Sequence, residues 1–104
     1  MATYQNPGPT RDEVDALQGA TLLEFGTPWC GYCQGAAEAI HAAVQQFPAV
    51  QHVKVEDGPG RALGRSFRVK LWPTLVVLKD GVEVARVVRP GGAEVVQAAL
   101  EHAI

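Results

Sequence analysis

Cysteine is scarce in this chain, since only Cys30 and Cys33 occur among its 104 residues. A disulfide framework or a zinc site built on cysteines would need a second pair, and the three histidines are scattered without metal-ligand spacing. The fold must therefore be held together by an apolar core, for which a hydrophobic content of 47% is sufficient in one domain of this length. The cysteine pair is left free for chemistry.

Charge imbalance and long apolar runs are missing as well. The formal net charge is −2, which gives no electrostatic basis for binding nucleic acid or a membrane surface. No apolar run is long enough to span a bilayer, and residues 1–9 lack the basic and apolar regions of a secretory signal. No G-x-G-x-x-G follows a predicted strand, so no nicotinamide or flavin cofactor is indicated. We expect a cytoplasmic, monomeric protein with no cofactor, no metal, and no nucleic-acid or membrane partner.

The two cysteines stand in a C-x-x-C motif, within the sequence WCGYC. An apolar run predicts a strand over 21–25, and apolar positions spaced by four and three predict a helix over 31–47. A thiol at the start of that helix faces unpaired N–H groups and the positive end of the helix dipole, both of which favour the thiolate. We therefore predict that Cys30 is the nucleophile and that Cys33, which is less exposed, is the resolving thiol.

The other elements follow from hydrophobic periodicity and turn residues. They are, in order, a helix capped by Thr10 and Glu13, a strand over 50–55, a helix over 61–68, strands over 75–79 and 82–88 joined by the turn Asp80-Gly81, and a helix after Gly91-Gly92. Helices that alternate with strands indicate an α/β protein.

With these elements in place, the chain resembles the thioredoxin family over residues 10–103. Glu24 stands six residues before Cys30, where the family has a buried acidic residue, and the segment 71–74 (LWPT) resembles its cis-proline loop. The resemblance implies a thioredoxin fold, which is a three-layer α/β/α sandwich around a central mixed sheet of four to five strands.

We expect residues 1–9, which contain proline and glycine, to form a flexible N-terminal arm with a short edge strand around Ala2 to Tyr4. Residues 10–104 are expected to form a single thioredoxin-like domain.

The resemblance also implies roles for individual residues. Glu24 would accept the proton of Cys33, and Pro73 would follow a cis peptide bond and face the dithiol. The implied substrate-binding residues are Trp29, Gly31, Tyr32, Trp72, Pro73 and Thr74. Alternatives remain open: Glu24 at a strand edge facing solvent, an ordinary trans-proline, tryptophans that pack in the core, and a surface position for His52, which otherwise matches the neighbour of the buried acid.

The implied activity is that of a thiol–disulfide oxidoreductase that reduces protein disulfides and serves electron transport and cell redox homeostasis. Its partners would be disulfide-bearing client proteins and, as electron donor, a thioredoxin reductase or a small thiol. Five features depart from the family: Gly31-Tyr32 replaces Gly-Pro, Gly26 replaces a tryptophan, Gln34 replaces a Lys or Arg, Glu38 replaces a proline in the active-site helix, and Arg89 replaces a glycine of the substrate groove. A disulfide isomerase or oxidase, and a non-catalytic thioredoxin-like binding module, are the alternative interpretations.

Overall fold

The computed structural model describes residues 2–104, so Met1 lies outside the described residues. The elements are β1 (Tyr4–Gln5), α1 (Arg11–Asp15), β2 (Ala20–Gly26), α2 (Gly31–Gln45), β3 (Gln51–Glu56), α3 (Ala62–Ser66), β4 (Thr74–Lys79), β5 (Val82–Val88), α4 (Ala93–Leu100) and a final 3₁₀ turn (Glu101–Ala103). None of the helices in residues 2–104 is long and apolar enough to cross a membrane.

The strands form one mixed sheet in the order β1-β3-β2-β4-β5. Strand β3 pairs in parallel with both β1 and β2, whereas β4 pairs antiparallel with β2 and β5. Five strands with helices on both faces confirm the predicted α/β sandwich.

The two faces of the sheet carry separate apolar clusters because successive strand residues point to opposite sides. On one face Leu22 packs with Ile40 of α2 and Val96 of α4. On the other face Leu23 packs in a cluster that also contains Val14 of α1. Strand β4 is buried from Thr74 to Leu78, as expected for an apolar run at the centre of a sheet covered on both sides.

Several predicted boundaries shift in the structure. The predicted capping box at Thr10 is present, and α1 is a short helix that ends at Asp15. Helix α2 was predicted to extend to residue 47 but ends at Gln45, and α3 was predicted over 61–68 but spans Ala62–Ser66. The residues that follow each helix make capping hydrogen bonds instead of continuing it. The expected short edge strand of the N-terminal arm is present as β1, but it lies at Tyr4–Gln5, where it pairs with β3.

The site is positioned by the junction between β2 and α2. Strand β2 ends at Gly26, a four-residue loop follows, and α2 begins at Gly31 with Cys30 as its N-cap residue. The C-x-x-C motif therefore lies at the carboxyl end of a buried central strand, as predicted from the flanking sequence.

Candidate active site

Cys30 caps the N-terminus of α2. Its backbone is extended (φ −78°, ψ 122°), and its sulfur accepts a hydrogen bond from the backbone N–H of Cys33 at 3.2 Å. This donor is one of the helix N–H groups that have no partner within the helix, and such a donor stabilises negative charge on the sulfur. Both cysteines are free thiols, and 8% of Cys30 is exposed against 3% of Cys33. The geometry suits attack by Cys30 and resolution by Cys33.

The environment of Cys33 favours its protonated form. The pKa of Cys33 is raised to about 11, mainly by burial and also by the hydrogen bond to Cys30, whereas contacts from the Thr27 backbone and the Tyr4 hydroxyl act in the opposite direction. Cys33 therefore holds its proton at neutral pH, and a group that removes the proton or stabilises the thiolate is needed when this thiol attacks.

The raised pKa of Cys33 predicts how the stability of the reduced protein depends on pH. Below about pH 9 both the folded and the unfolded chain keep this proton, but between about pH 9 and 11 only the folded chain does. The free energy of unfolding should fall across that window by up to about 2 kcal/mol through this group. Urea unfolding at a series of pH values would measure the loss. The Cys33→Ser variant is the control, and an equally steep loss in that variant would contradict the assignment.

Glu24 is buried and paired. Its side chain lies on β2 with 1% of the residue exposed, and its Oε1 atom is 2.8 Å from Nε2 of His52 on β3. The strand register explains the contact. His52 lies opposite Leu22, which is two residues before Glu24 on the same face of the sheet, so His52 and Glu24 are diagonal neighbours. The solvent-facing alternative for Glu24 is therefore wrong, and so is a free surface position for His52.

The loop before β4 meets the C-x-x-C motif through two tryptophans. The Trp72–Pro73 peptide bond is cis, and Trp72 makes an edge-to-face contact with Trp29, with ring centroids 5.8 Å apart. The Trp72 indole N–H donates a 2.8 Å hydrogen bond to Asp57, and the Thr74 hydroxyl donates to the Leu71 carbonyl at 2.6 Å. These bonds fix the loop, while 71% of Trp29 remains exposed.

Arg89 closes the other side of the motif. Its φ of +51° is the left-handed conformation in which glycine is favoured. Its guanidinium lies 3.7 Å from the ring centroid of Tyr32, and its Nε donates to the Trp72 carbonyl at 2.9 Å. The backbone carbonyl of Trp72, one of the expected substrate-binding residues, is therefore occupied by an arginine side chain.

The structure brings the predicted site residues together. Trp29, Cys30, Gly31, Tyr32 and Cys33 lie on the loop and first turn of α2, Glu24 on the adjoining strand, and Trp72, Pro73 and Thr74 on the loop that contacts Trp29. Sequence analysis missed Tyr4 and Asp57. Neither belongs to a motif; the one related signal was the departure from the family at Gly26, whose ideal Cβ position is 2.8 Å from the Tyr4 hydroxyl.

Comparison with known proteins identifies the class of protein that this fold and site define. A family model described as Thioredoxin matches residues 7–102. The chain belongs to the thioredoxin family, whose members are thiol–disulfide oxidoreductases, and this confirms both the resemblance and the fold class inferred from the sequence.

Three individual relatives are informative. The structure of thioredoxin 2 from Pseudomonas aeruginosa PAO1 in its reduced form is 60% identical, with a TM-score of 0.86, and the match covers 97% of this chain and 94% of that one. Thioredoxin-1 from Saccharomyces cerevisiae is 29% identical over 103 residues, which are 99% of this chain and 100% of that protein. Thioredoxin H2 from Arabidopsis thaliana is 30% identical over 77 residues, which are 74% of this chain and 58% of that longer protein.

Proposed function

We propose that the protein is a thiol–disulfide oxidoreductase that reduces disulfides in client proteins. The observation that carries the proposal is the placement of Cys30 as the N-cap of α2, with its sulfur accepting the Cys33 N–H at 3.2 Å. The Cys30 thiolate attacks a client disulfide, forms a mixed disulfide and releases one client thiolate. Cys33 then loses its proton and attacks Cys30, which releases the second client thiolate and leaves an intramolecular disulfide. Two electrons pass from the protein to the client.

Aromatic residues around Cys30 support a protein substrate. Trp29 is 71% exposed and Tyr32 is 62% exposed, although both are large side chains that ordinarily bury part of their surface. With Gly31 and the loop Trp72–Thr74 they form a surface that suits an extended segment of a client. A client whose backbone pairs with Trp72 must displace Arg89 from the Trp72 carbonyl.

We assign to Glu24 the role of proton acceptor for Cys33. Glu24 lies two residues before Gly26, on the same face of β2, and the ideal Cβ position of Gly26 is 2.6 Å from the Cys33 sulfur. A rise of about 3.3 Å per residue separates the two positions by about 7 Å along the strand. His52 holds the carboxylate in place.

The family supports the remaining parts of the proposal. We propose that electrons reach the disulfide form from a thioredoxin reductase or a small thiol, that the protein acts as a monomer in the cytoplasm, and that residues 10–104 form its single domain. The family model, which spans residues 7–102, agrees with one domain. A cytoplasmic reductase also suits a chain whose only two cysteines form a C-x-x-C pair.

The redox potential of the Cys30/Cys33 pair tests the direction of the reaction. Among residues 2–104 a single N–H donates to the Cys30 sulfur, and Gln34 after the motif is uncharged and bonded to the Pro28 carbonyl, so the reduced form gains little extra stability. We expect a potential near roughly −270 mV in glutathione buffers, read by alkylation mass shift. A value near roughly −180 mV or above would instead support the isomerase or oxidase.

The Cys33→Ser variant is the control for that titration because it cannot form the intramolecular disulfide. If the wild-type protein formed no reversible disulfide either, both enzymatic functions would be wrong, and the non-catalytic binding module would remain.

A further inference from the structure

Tyr4 lies in the same row of the sheet as Glu24, although it belongs to the N-terminal arm. In the parallel pairing, Tyr4 of β1 is opposite Lys54 of β3, and Lys54 is opposite Glu24 of β2. Residues paired across parallel strands point to the same face, so Tyr4 shares the face covered by α2. Two strand spacings of about 4.8 Å separate Tyr4 from β2, and the long phenol side chain extends in that direction.

The Tyr4 hydroxyl and the Cys33 sulfur both lie beside Gly26. A Cβ atom at position 26 would lie 2.6 Å from the Cys33 sulfur and 2.8 Å from the Tyr4 hydroxyl oxygen. Both atoms therefore border the same small volume, and any side chain larger than hydrogen would displace one of them. Glycine at position 26 is therefore what leaves room for both the hydroxyl and the sulfur.

We propose that Tyr4 is a catalytic residue of the resolving step, whose hydroxyl donates a hydrogen bond to the Cys33 sulfur and stabilises its thiolate. This inference rests on the proposed oxidoreductase function. In the step concerned, the Cys33 proton passes to Glu24, the Cys33 sulfur bonds to Cys30, and the bond between Cys30 and the client breaks. Its electron pair leaves on the client sulfur. Tyr4 keeps its own proton throughout and therefore neither gains nor loses an atom or an electron in this step.

The groups around Tyr4 suit a donor that stays protonated. Burial raises the pKa of Tyr4 well above its ordinary value, and the negative charge of Glu24 and the contacts with Cys33 and Cys30 act in the same direction. Lys54 lies with its Nζ atom 4.2 Å from the centre of the Tyr4 ring, which holds the ring against β3. In return, the Tyr4 hydroxyl lowers the pKa of the Cys33 thiol.

Biphasic reaction of the reduced protein with Ellman's disulfide isolates this step. Attack by Cys30 releases the first thionitrobenzoate, and attack by Cys33 on the resulting mixed disulfide releases the second. The Tyr4→Phe variant keeps the ring and its contact with Lys54 and loses only the hydroxyl. We expect the first phase to be unchanged, and the second to be about tenfold slower at neutral pH, because a hydrogen bond to a charged group is lost. The pH midpoint of the second phase should rise by about one unit.

Thr3→Val is the matched control because this substitution also removes a hydroxyl. Thr3 lines a cleft of about 460 Å³ together with Tyr4 and Cys33. It should leave both phases as in the wild type. A second phase in Tyr4→Phe within twofold of the wild-type rate, with the same pH midpoint, would overturn the inference while leaving the proposed function intact. A wild-type protein without the first phase would instead remove the proposed function itself.

A measurement on the unaltered protein makes the test independent of any variant. The NMR resonance of the Tyr4 Cζ carbon should shift when the Cys30/Cys33 disulfide forms, because the Cys33 sulfur then ceases to be a strong acceptor. No shift on oxidation would count against the hydrogen bond.

Discussion

Replacing Cys33 with serine is expected to stop turnover and to leave Cys30 covalently joined to client proteins. Cys30 keeps its N-cap position and its exposure in this variant, so it still attacks a disulfide. No second thiol then completes the exchange, since the chain contains only these two cysteines. Protein-disulfide reduction should fall to the uncatalysed rate, whereas the mixed disulfide should accumulate and be visible by non-reducing electrophoresis.

The Cys30→Ser variant is the matched control for the trapping experiment. It keeps Cys33, which is 3% exposed and whose pKa is raised to about 11 by burial, so a negligible fraction is thiolate at neutral pH. We expect no mixed disulfides in this variant. Equal recovery of clients from both variants would show that the two thiols are interchangeable, which contradicts the assignment of attacker and resolver.

The C-x-x-C motif and the central strands could be predicted because their signals are local. Strand β4 is an uninterrupted apolar run, and its turn Asp80-Gly81 has the positive φ values, 49° and 78°, that a tight hairpin requires. The N-cap position of Cys30 follows from a strand, a turn and a helical pattern in sequence. None of these features depends on a distant contact, so the sequence alone was sufficient.

A short edge strand in the arm was expected, but its position at Tyr4–Gln5 and the role of Tyr4 depend on distant contacts and could not be predicted. Two residues carry no periodicity, and Tyr4 becomes a strand residue only because β3 offers Lys54 as its partner. The sequence showed that position 26 is small, but not which side chain enters the space. That the Tyr4 side chain fills the space is determined by how the N-terminal arm packs along the sheet.

Arg89 illustrates a second limit of local reasoning. An arginine at φ +51° is unfavourable for the isolated residue, so its local preference argues against this conformation. Two contacts of the Arg89 side chain offset the cost of this backbone conformation: its stacking on the Tyr32 ring and its hydrogen bond to the Trp72 carbonyl. Both partners are distant from Arg89 in sequence, which is why the position was recognised only as a departure from the family.

The pair formed by Glu24 and His52 leads to the second large effect, a loss of stability when one partner is removed. Only 2% of the Glu24 side chain and 13% of the His52 side chain are exposed, and their N···O distance is 2.8 Å. Substituting His52 with leucine leaves a buried carboxyl group without its partner. We expect the free energy of unfolding to fall by about 3 kcal/mol at neutral pH, measured by urea denaturation. That loss is a large fraction of the roughly 5–15 kcal/mol typical of a small protein.

A double-mutant cycle separates the lost contact from the change in packing. The variant that carries both Glu24→Leu and His52→Leu should be more stable than the single His52→Leu variant, because no carboxyl group remains to be buried alone. His102→Leu, on the exposed C-terminal turn, serves as the control for the substitution itself and should change stability by less than about 0.5 kcal/mol. If the two single effects simply added in the double variant, the contact would contribute nothing to stability.

The Glu24→Gln variant then distinguishes stability from proton transfer. Glutamine keeps the size of the side chain and an oxygen that accepts a hydrogen bond from His52, so stability should change less than in His52→Leu. It is a far weaker base, however, and the second phase of the reaction with Ellman's disulfide should slow by at least tenfold. A resolving step that is as fast in Glu24→Gln as in the wild type would mean that Glu24 is retained for its contact with His52 and that Cys33 loses its proton directly to solvent.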